Sequence, residues 1–483
     1  MKILETNFTK NQWIAIAISM AFVILNSIFI ASEFFFLSIF PALLFVGLLY
    51  FTRADLVLIL ISFLTPLAVN LSSFDLDIGV SIPTEPLLAA LLVLIIAKIL
   101  YDREFDKRIL IHPISIVIYL YLIWMLLCTF TSEFPIVSLK AFIAKLWFII
   151  PLYFFGIQAF RKEQNMWYFI YAYIFGFLIV IFYTLINHAI NAFSSEAAHW
   201  VMTPFYNDHT SYGAMLAMFI PILSGFLFIK DYSSSKKFLI FTLLIIFVVA
   251  IIFSISRAAW ASVLAAFGIW FLIYFKIKFR WIFSIAAIVF FIGFAYKGEI
   301  IQKLERNKQD AKGGLVQHVE SVSNVATDAS NLERINRWSS AIGMFKKRPV
   351  FGYGPGTYQF IYAPFQHSYE KTVISTNAGN RGTAHSEYLL VLSEEGLLGG
   401  ICLISIFILI IITAVKNNKN VKNSKIRLLN MIVMLGIFTY LFHAIFNNFL
   451  DTDKAAVPFW GLTAIITSIN IYHLKTFDAK IPI

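Results

Sequence analysis

HSEYLLVLSEEGLLGGICLISIFILIIITAV, residues 385 to 415, is too long to be one straight membrane helix. At 1.5 Å per residue, about thirty helical residues overshoot a hydrocarbon core of roughly 30 Å. A break is therefore expected at Gly396. It leaves HSEYLLVLSEE as a short helix at the membrane interface and the apolar remainder as a span.

The rest of the chain shares that apolar character. Of 483 residues, 59% are hydrophobic and only 13% charged, with a mean hydropathy of +0.79. This lies far outside the range of soluble globular domains. Apolar runs fall near 13–30, 34–51, 55–71, 86–101, 113–131, 141–160, 166–187, 211–230, 238–255, 259–275, 281–297, 397–415, 428–447 and 456–473. The fold class expected is an all-α polytopic membrane protein with about 14 transmembrane helices (roughly 12–14). Lys and Arg sort to alternate connections: Lys2/Lys10, Arg53, DREFDKR, RKEQ, KDYSSSKK, KIKFR, KNNKNVKNSKIR and HLKTFDAK share one side. That side reads as cytoplasmic, with both termini inside. The opposite loops NLSSFDLDIGVSIPTE and INHAINAFSSEAAHWVMTPFYNDHT carry neither residue, so the net charge of +11 is topological and calls for no nucleic-acid partner. The first apolar run lacks an A-x-A site and reads as an uncleaved anchor. Cys128 and Cys402 both fall in spans, which leaves neither a disulfide framework nor a thiolate metal site.

One connection, 298–396, is far longer than the others, and loops of that length usually carry structure and function. The organisation expected is a bundle of about eleven helices over 1–297, a large, partly helical outer loop over 298–396, and C-terminal helices with a cytoplasmic tail over 397–483. The loop opens on a flexible polar entry. SNLERINRWSSAIGMFKKRP then reads as a helix, with Ser330 and Glu333 as a capping box, Leu332, Ile335, Trp338, Ile342 and Phe345 at helical spacing, and Pro349 as the stop. Arg334, Arg337 and Ala341 share another flank, which is expected to face something polar. GYGPGTYQF follows with Gly352, Gly354 and Gly356. No Walker lysine accompanies it, so a tight turn whose amides approach an anion or sugar is the better reading than a nucleotide loop.

His385 is placed in the first turn of the interfacial helix, where the dipole disfavours imidazolium and leaves a neutral proton acceptor. Arg257, in FSISRAAWAS, lies between two spans on the same outer face, with a snorkelling anchor as its bland alternative. Arg257, Arg334, Arg337 and Arg381 thus bring fixed cations to the face where His385 stands, and arginine grips phosphate oxygens in bidentate fashion. The combination points to a lipid-linked phosphate donor and an acceptor hydroxyl.

ERINRW, RPVFGYGPGTY and HSEYLLVLSEEGLLGG, preceded by SRAAW in a membrane hairpin, resemble the O-antigen ligase and polymerase family of bacterial envelope glycosyltransferases. The motifs cover roughly residues 205–400. The resemblance implies a GT-C-like fold in the bacterial inner membrane, with the site facing the periplasm. It also implies metal-independent, inverting glycosyl transfer without a cofactor, from an undecaprenyl-diphosphate-linked glycan to a glycan, lipid A-core or protein hydroxyl. Arg257 matches the family's membrane Ser-Arg and Arg334 its E-R-x-x-x-W arginine, both implied to hold the departing diphosphate. His385 matches the histidine implied to deprotonate the acceptor. Many members have Asn after that histidine, where this chain has Ser386, which bears on the acceptor contact. Arg337, Arg381, His209 (in PFYNDHTSYG) and Gly354 are weaker candidates for substrate contact.

Two other readings stand beside this one. Asp75/Asp77 and Asp451/Asp453 spell D-x-D, the spacing of metal-dependent sugar transfer, but short outer loops are commonly acidic and no second ligand cluster accompanies them. A lipid-linked oligosaccharide flippase would suit the span count. It is expected to show two similar halves and charges near the midplane, whereas this chain shows no internal repeat and its charged candidates crowd one face.

Overall fold

The structure, a computed structural model, describes residues 9–34, 36–74, 79–102, 105–276, 291, 295–296, 329–368, 370–371, 375 and 382–474. The chain divides into two compact units, Met1–Val57 and Leu58–Ile483. Within the first, the helices Lys10–Ala31 and Phe40–Thr52 flank a 3-10 turn, Phe36–Ile39. Large apolar side chains such as Phe51 and Leu43 lie on its surface. Apolar surface on this scale suits lipid rather than water.

Nine helices among the described residues are long and apolar enough to cross a membrane. All nine, from Thr84–Tyr101 to Asp453–Tyr472, lie in the second unit and correspond to expected spans. Four more expected spans are helices among the described residues: Lys10–Ala31, Phe40–Thr52, Ala54–Leu64 and His209–Phe226. The fourteenth, near 281–297, and the polar entry of the loop to residue 328 fall largely outside the described residues. Both cysteines are free thiols.

Three helices form the core of the second unit: His209–Phe226, Ser424–His443 and Asp453–Tyr472, each buried along most of its length. In lipid, helices associate through close packing and polar contacts, not through water exclusion. Gly225 seats against Ile432 and Gly436 against the Met218 carbonyl, so the first two helices approach more closely than larger residues would allow. Away from the Lys/Arg-poor end, Asn417 donates to Asn430 Oδ1 at 3.0 Å and to the Ile466 carbonyl at 2.9 Å, while Asn470 donates to Asn417 Oδ1 at 2.7 Å. Every bond of this network ties one helix to another. Lys454 Nζ donates to the carbonyls of Thr65 and Ala68, both at 2.6 Å, and so caps the chain beyond the Ala54–Leu64 helix.

The segment Glu387–Asn420 breaks where the apolar pattern places the break. Gly396 has φ +69° and ψ −165°, outside helical geometry. The loop backbone docks into this notch: Leu397 N donates to the Pro349 carbonyl at 2.8 Å, and Gly354 N donates to the Glu394 carbonyl at 2.8 Å. A Cβ on Gly396 would collide with the Val350 carbonyl, and one on Gly352 (φ +64°) with the Glu394 carbonyl. Two glycines therefore allow two backbones to meet without side chains between them.

Gly396→Ala is expected to cost about 1–3 kcal/mol from backbone strain alone, with the collision added. Gly268→Ala, in a helix with open space around it, is the neutral control. Thermal melting of the two detergent-solubilised variants distinguishes them; equal melting temperatures would remove the notch from the account of the fold.

Candidate functional site

The docked loop carries the Ala329–Lys347 helix across the Lys/Arg-poor end of the bundle. Ala341 and Met344 of this helix join Tyr353, Tyr358, Tyr362, Ala384 and Leu390 in a buried cluster, with Phe365 packed against it. Trp338 Nε1 donates to the His385 carbonyl at 3.0 Å, and its ring lies 6.3 Å from that of Phe446. The helix is thereby fixed to the segment that carries His385. The Glu333 carboxylate accepts from Arg337 Nε at 2.6 Å and from Ser375 Oγ, while the Ser330 side chain of the expected capping box lies outside what is described.

His385 stands two residues before the Glu387–Asn420 helix, in the left-handed region at φ +48°. The expectation that it occupies the first helical turn is corrected accordingly. Ser386 is the N-cap, buried, with its hydroxyl accepting from Leu389 N at 3.5 Å. This cap uses one acceptor lone pair of the hydroxyl and leaves its proton as a donor. His385 is nevertheless held neutral. Burial first, then Arg334 and Arg337, push its pKa down to about 4, against a hydrogen bond to Asn447 and the charge of Asp208. Burial and cations, rather than the helix dipole, set its state.

Arg334 is also buried, and loss of hydration lowers its pKa against the pull of Asp208. Arg257 opens the Arg257–Tyr274 helix close enough to Arg334 for the two charges to repel. His209 lies within the field of both arginines and contacts His199, Nδ1 to Nδ1, at 3.0 Å. Asp208 caps the His209–Phe226 helix by accepting from Thr210 N at 2.7 Å and Ser211 N at 2.8 Å. One carboxylate thus serves both as a cap and as a counter-charge near Arg334 and His385. The structure gathers Arg257, Arg334, His209 and His385 from four separate stretches of chain.

The weaker candidates fall elsewhere. Arg337 is buried in its ion pair with Glu333, and its guanidinium lies 4.1 Å above the Tyr362 ring. It is not a solvated surface residue, and its charge reaches His385. The GYGPG amides do not face an open anion site. Gly354 N pairs with the Glu394 carbonyl, while Gly356 N and Tyr358 N donate to the Glu394 carboxylate, both at 2.8 Å. The anion in that cradle is the chain's own. Arg381, Asp75 and Asp77 lie outside the described residues. Asp451 pairs with Lys145 at 2.5 Å, whereas Asp453 is buried 3.9 Å from Lys454, so the two carboxylates of that D-x-D are engaged by different lysines.

Sequence reading missed Asp208, Asn447 and His443. Asn447 Nδ2 approaches His443 Nε2 at 3.0 Å, both side chains being buried. Asp-His at a helix start and Asn-Asn between two apolar spans were the available signals. Glu387 holds this region in place: its N–H donates to the Ala444 carbonyl at 2.9 Å, and its carboxylate accepts from Phe449 N at 3.1 Å and Tyr440 OH at 3.2 Å.

Glu394→Ala leaves the Gly356 and Tyr358 amides without their acceptor. It is expected to destabilise by about 1–3 kcal/mol per amide, read by thermal melting of the detergent-solubilised protein; a melting temperature equal to wild type would remove Glu394 from the account of the turn.

Residues 240–404 match the family model described as O-antigen ligase, a match that includes Arg257, Arg334 and His385 but not His209 or Asn447. Comparison with curated proteins returned no match.

Proposed function

With an O-antigen ligase domain over residues 240–404 of a multi-pass membrane chain, we propose that this protein transfers a glycan from an undecaprenyl-diphosphate carrier to an acceptor hydroxyl, at the outer face of the inner membrane. The observation that carries the reading is a neutral, buried histidine beside buried arginine charge. A neutral imidazole accepts a proton, and arginines in a low-dielectric site attract a diphosphate.

His385 takes the proton of the acceptor hydroxyl as that oxygen attacks the anomeric carbon. The bond from that carbon to the diphosphate oxygen breaks, and its electron pair leaves with the diphosphate. Attack opposite the leaving group inverts the anomeric centre. Arg257 and Arg334 neutralise the charge that develops on the departing group, a role that needs no metal ion. His209 lies close enough to both arginines to contact the donor's phosphates. Arg334 carries both ends of this scheme, since it faces the diphosphate while its charge keeps His385 deprotonated.

The test is glycan transfer in vesicles reconstituted with lipid-linked donor and EDTA. Wild type is expected to form product, His385→Ala to lose about 10²- to 10⁴-fold in kcat, and Arg257→Ala and Arg334→Ala to lose about 10²-fold or more. Consumption of a lipid A-core or protein acceptor identifies a ligase, the reading favoured by the family's description. Growth of the lipid-linked glycan identifies a polymerase. Donor that crosses the bilayer unchanged identifies a flippase and ends the enzymatic reading.

The pH profile gives a second test. Because a proton on His385 abolishes the base, kcat/KM is expected to fall only as pH drops through about 4, the value in the free enzyme. Bound diphosphate offsets the Arg334 charge and stabilises the imidazolium, so the corresponding limb of kcat moves to higher pH. An acid limb of kcat/KM near the ordinary histidine value would contradict the buried, cation-flanked base.

A further inference from the structure

We infer that His199 and His209 form a shared-proton pair, which takes up one proton from solvent as the donor's diphosphate binds and presents His209 Nε2–H and a positive charge to it. This inference rests on the reading of the site as one for a diphosphate. The two imidazoles meet Nδ1 to Nδ1 at 3.0 Å, with ring centroids 4.3 Å apart and planes at 88°. His199 ends the 3-10 turn Ala197–His199, in a loop anchored by buried Ala197, Ala198, Val201 and Met202. The Glu163–Ile190 helix holds the same loop: Asn187 Nδ2 donates to the Val201 carbonyl at 3.4 Å and Tyr183 OH to the Thr203 carbonyl at 2.8 Å. His209 is the first residue of its own helix. One turn further on, a Cβ at Gly213 would lie 2.8 Å from Ser256 Cβ and 3.2 Å from Ala259 Cβ, so the His209 and Arg257 helices start side by side. Two adjacent helix starts put their positive dipole ends together and favour an anion there. Ser256 is an independent sign of the same kind. It is 2% exposed, makes no side-chain cap to the Arg257 helix, and its hydroxyl has no hydrogen-bond partner among the described residues.

The contact limits how many protons the pair can hold. A neutral imidazole has one N–H and one bare nitrogen. Across 3.0 Å one Nδ1 carries a proton and the other does not, so a neutral pair leaves one Nε2 bare, on the ring that donates through Nδ1. Two Nδ1–H groups cannot face each other, and the pair therefore accepts a single further proton. A solvent acid gives it up to the bare Nε2. Both Nε2 atoms then carry hydrogen, whichever way the shared proton lies, and the pair holds one positive charge. Burial first, then His199, Arg334 from the Ala329–Lys347 helix and Arg257 from its own helix oppose a proton on His209, while the preceding Asp208 favours one. Asp208 also faces His199, which is exposed and open to solvent. A diphosphate offsets both arginines, so the balance moves toward the charged pair, and its oxygens accept charge-assisted hydrogen bonds.

The test is isothermal titration of the detergent-solubilised protein with a short-chain prenyl diphosphate-linked sugar, whose diester oxygens do not titrate near neutral pH, in buffers of different ionisation heat. Between about pH 5 and 7, uptake in wild type is expected to exceed that in His209→Gln by close to one proton per probe. Because binding takes up a proton, affinity falls as pH rises, by about tenfold per pH unit at most, and His209→Gln loses this slope. His199→Lys replaces the shared proton by a fixed charge that still donates to His209, so it is expected to bind at the wild-type low-pH affinity with neither slope nor uptake. His385→Gln keeps the uptake that depends on His209. Uptake that persists in His209→Gln and disappears in His385→Gln assigns the proton to His385 and overturns the pair. Binding that weakens in Arg257→Ala but has the same uptake and slope in wild type, His209→Gln and His199→Lys overturns the pair alone and leaves the diphosphate reading standing. Binding that is absent in wild type, or as tight in Arg257→Ala, removes the diphosphate reading and the pair with it.

Discussion

The backbone contact between Pro349–Gly354 and Ser393–Leu397 is the constraint on which the site depends. It joins the end of the Ala329–Lys347 helix to the break in Glu387–Asn420, and it exists because Gly352 and Gly396 put no side chain between the two chains. Arg334 belongs to one partner and His385 to the other. Were the interfacial half of that segment to run straight into its span, the loop would have no exposed backbone to pair with. The same break lets Ser386 and Glu387 start a new helix near the turn at Ala444, which brings Asn447 and His443 to the site.

Electrostatics then decides what kind of ligand the site accepts. Arg334 loses hydration, and Arg257 approaches it despite like charge. Such an arrangement is least costly when an anion with several oxygens occupies it. Burial first and then the neighbouring cations keep His385 unprotonated, so its acid–base state is tied in part to the same charges that attract an anion. Glu394 shows the complementary device, since the loop amides that would attract an anion are satisfied from within and stiffen the turn.

The bundle supports the site through polar contacts buried among apolar helices. Lys454, the Asn417–Asn430–Asn470 network and the Lys145–Asp451 pair each join distant parts of the chain. In a low-dielectric surrounding such groups are costly unless satisfied, so each specifies one packing of the helices over its alternatives.

Composition, span length and charge segregation were sufficient by themselves to establish an all-α membrane chain, and residue spacing located the helix break at Gly396. These properties are local, set by how many residues cross an apolar layer and how far a helix extends. Motif resemblance singled out Arg257, Arg334 and His385. The neutrality of His385 was not legible, because it comes from burial and then from Arg334 and Arg337 on another element, against the pull of Asp208, rather than from its own helix. Arg337 looked equivalent to Arg334 on one helix flank, yet Glu333 and Tyr362 capture it. Asn447 stood in an Asn-Asn pair between two apolar spans, but that signal and the lone His443 acquire meaning only from what the fold sets opposite them. Tertiary structure decided these points because charge, burial and proton position depend on distances across the fold, which no spacing along the chain encodes.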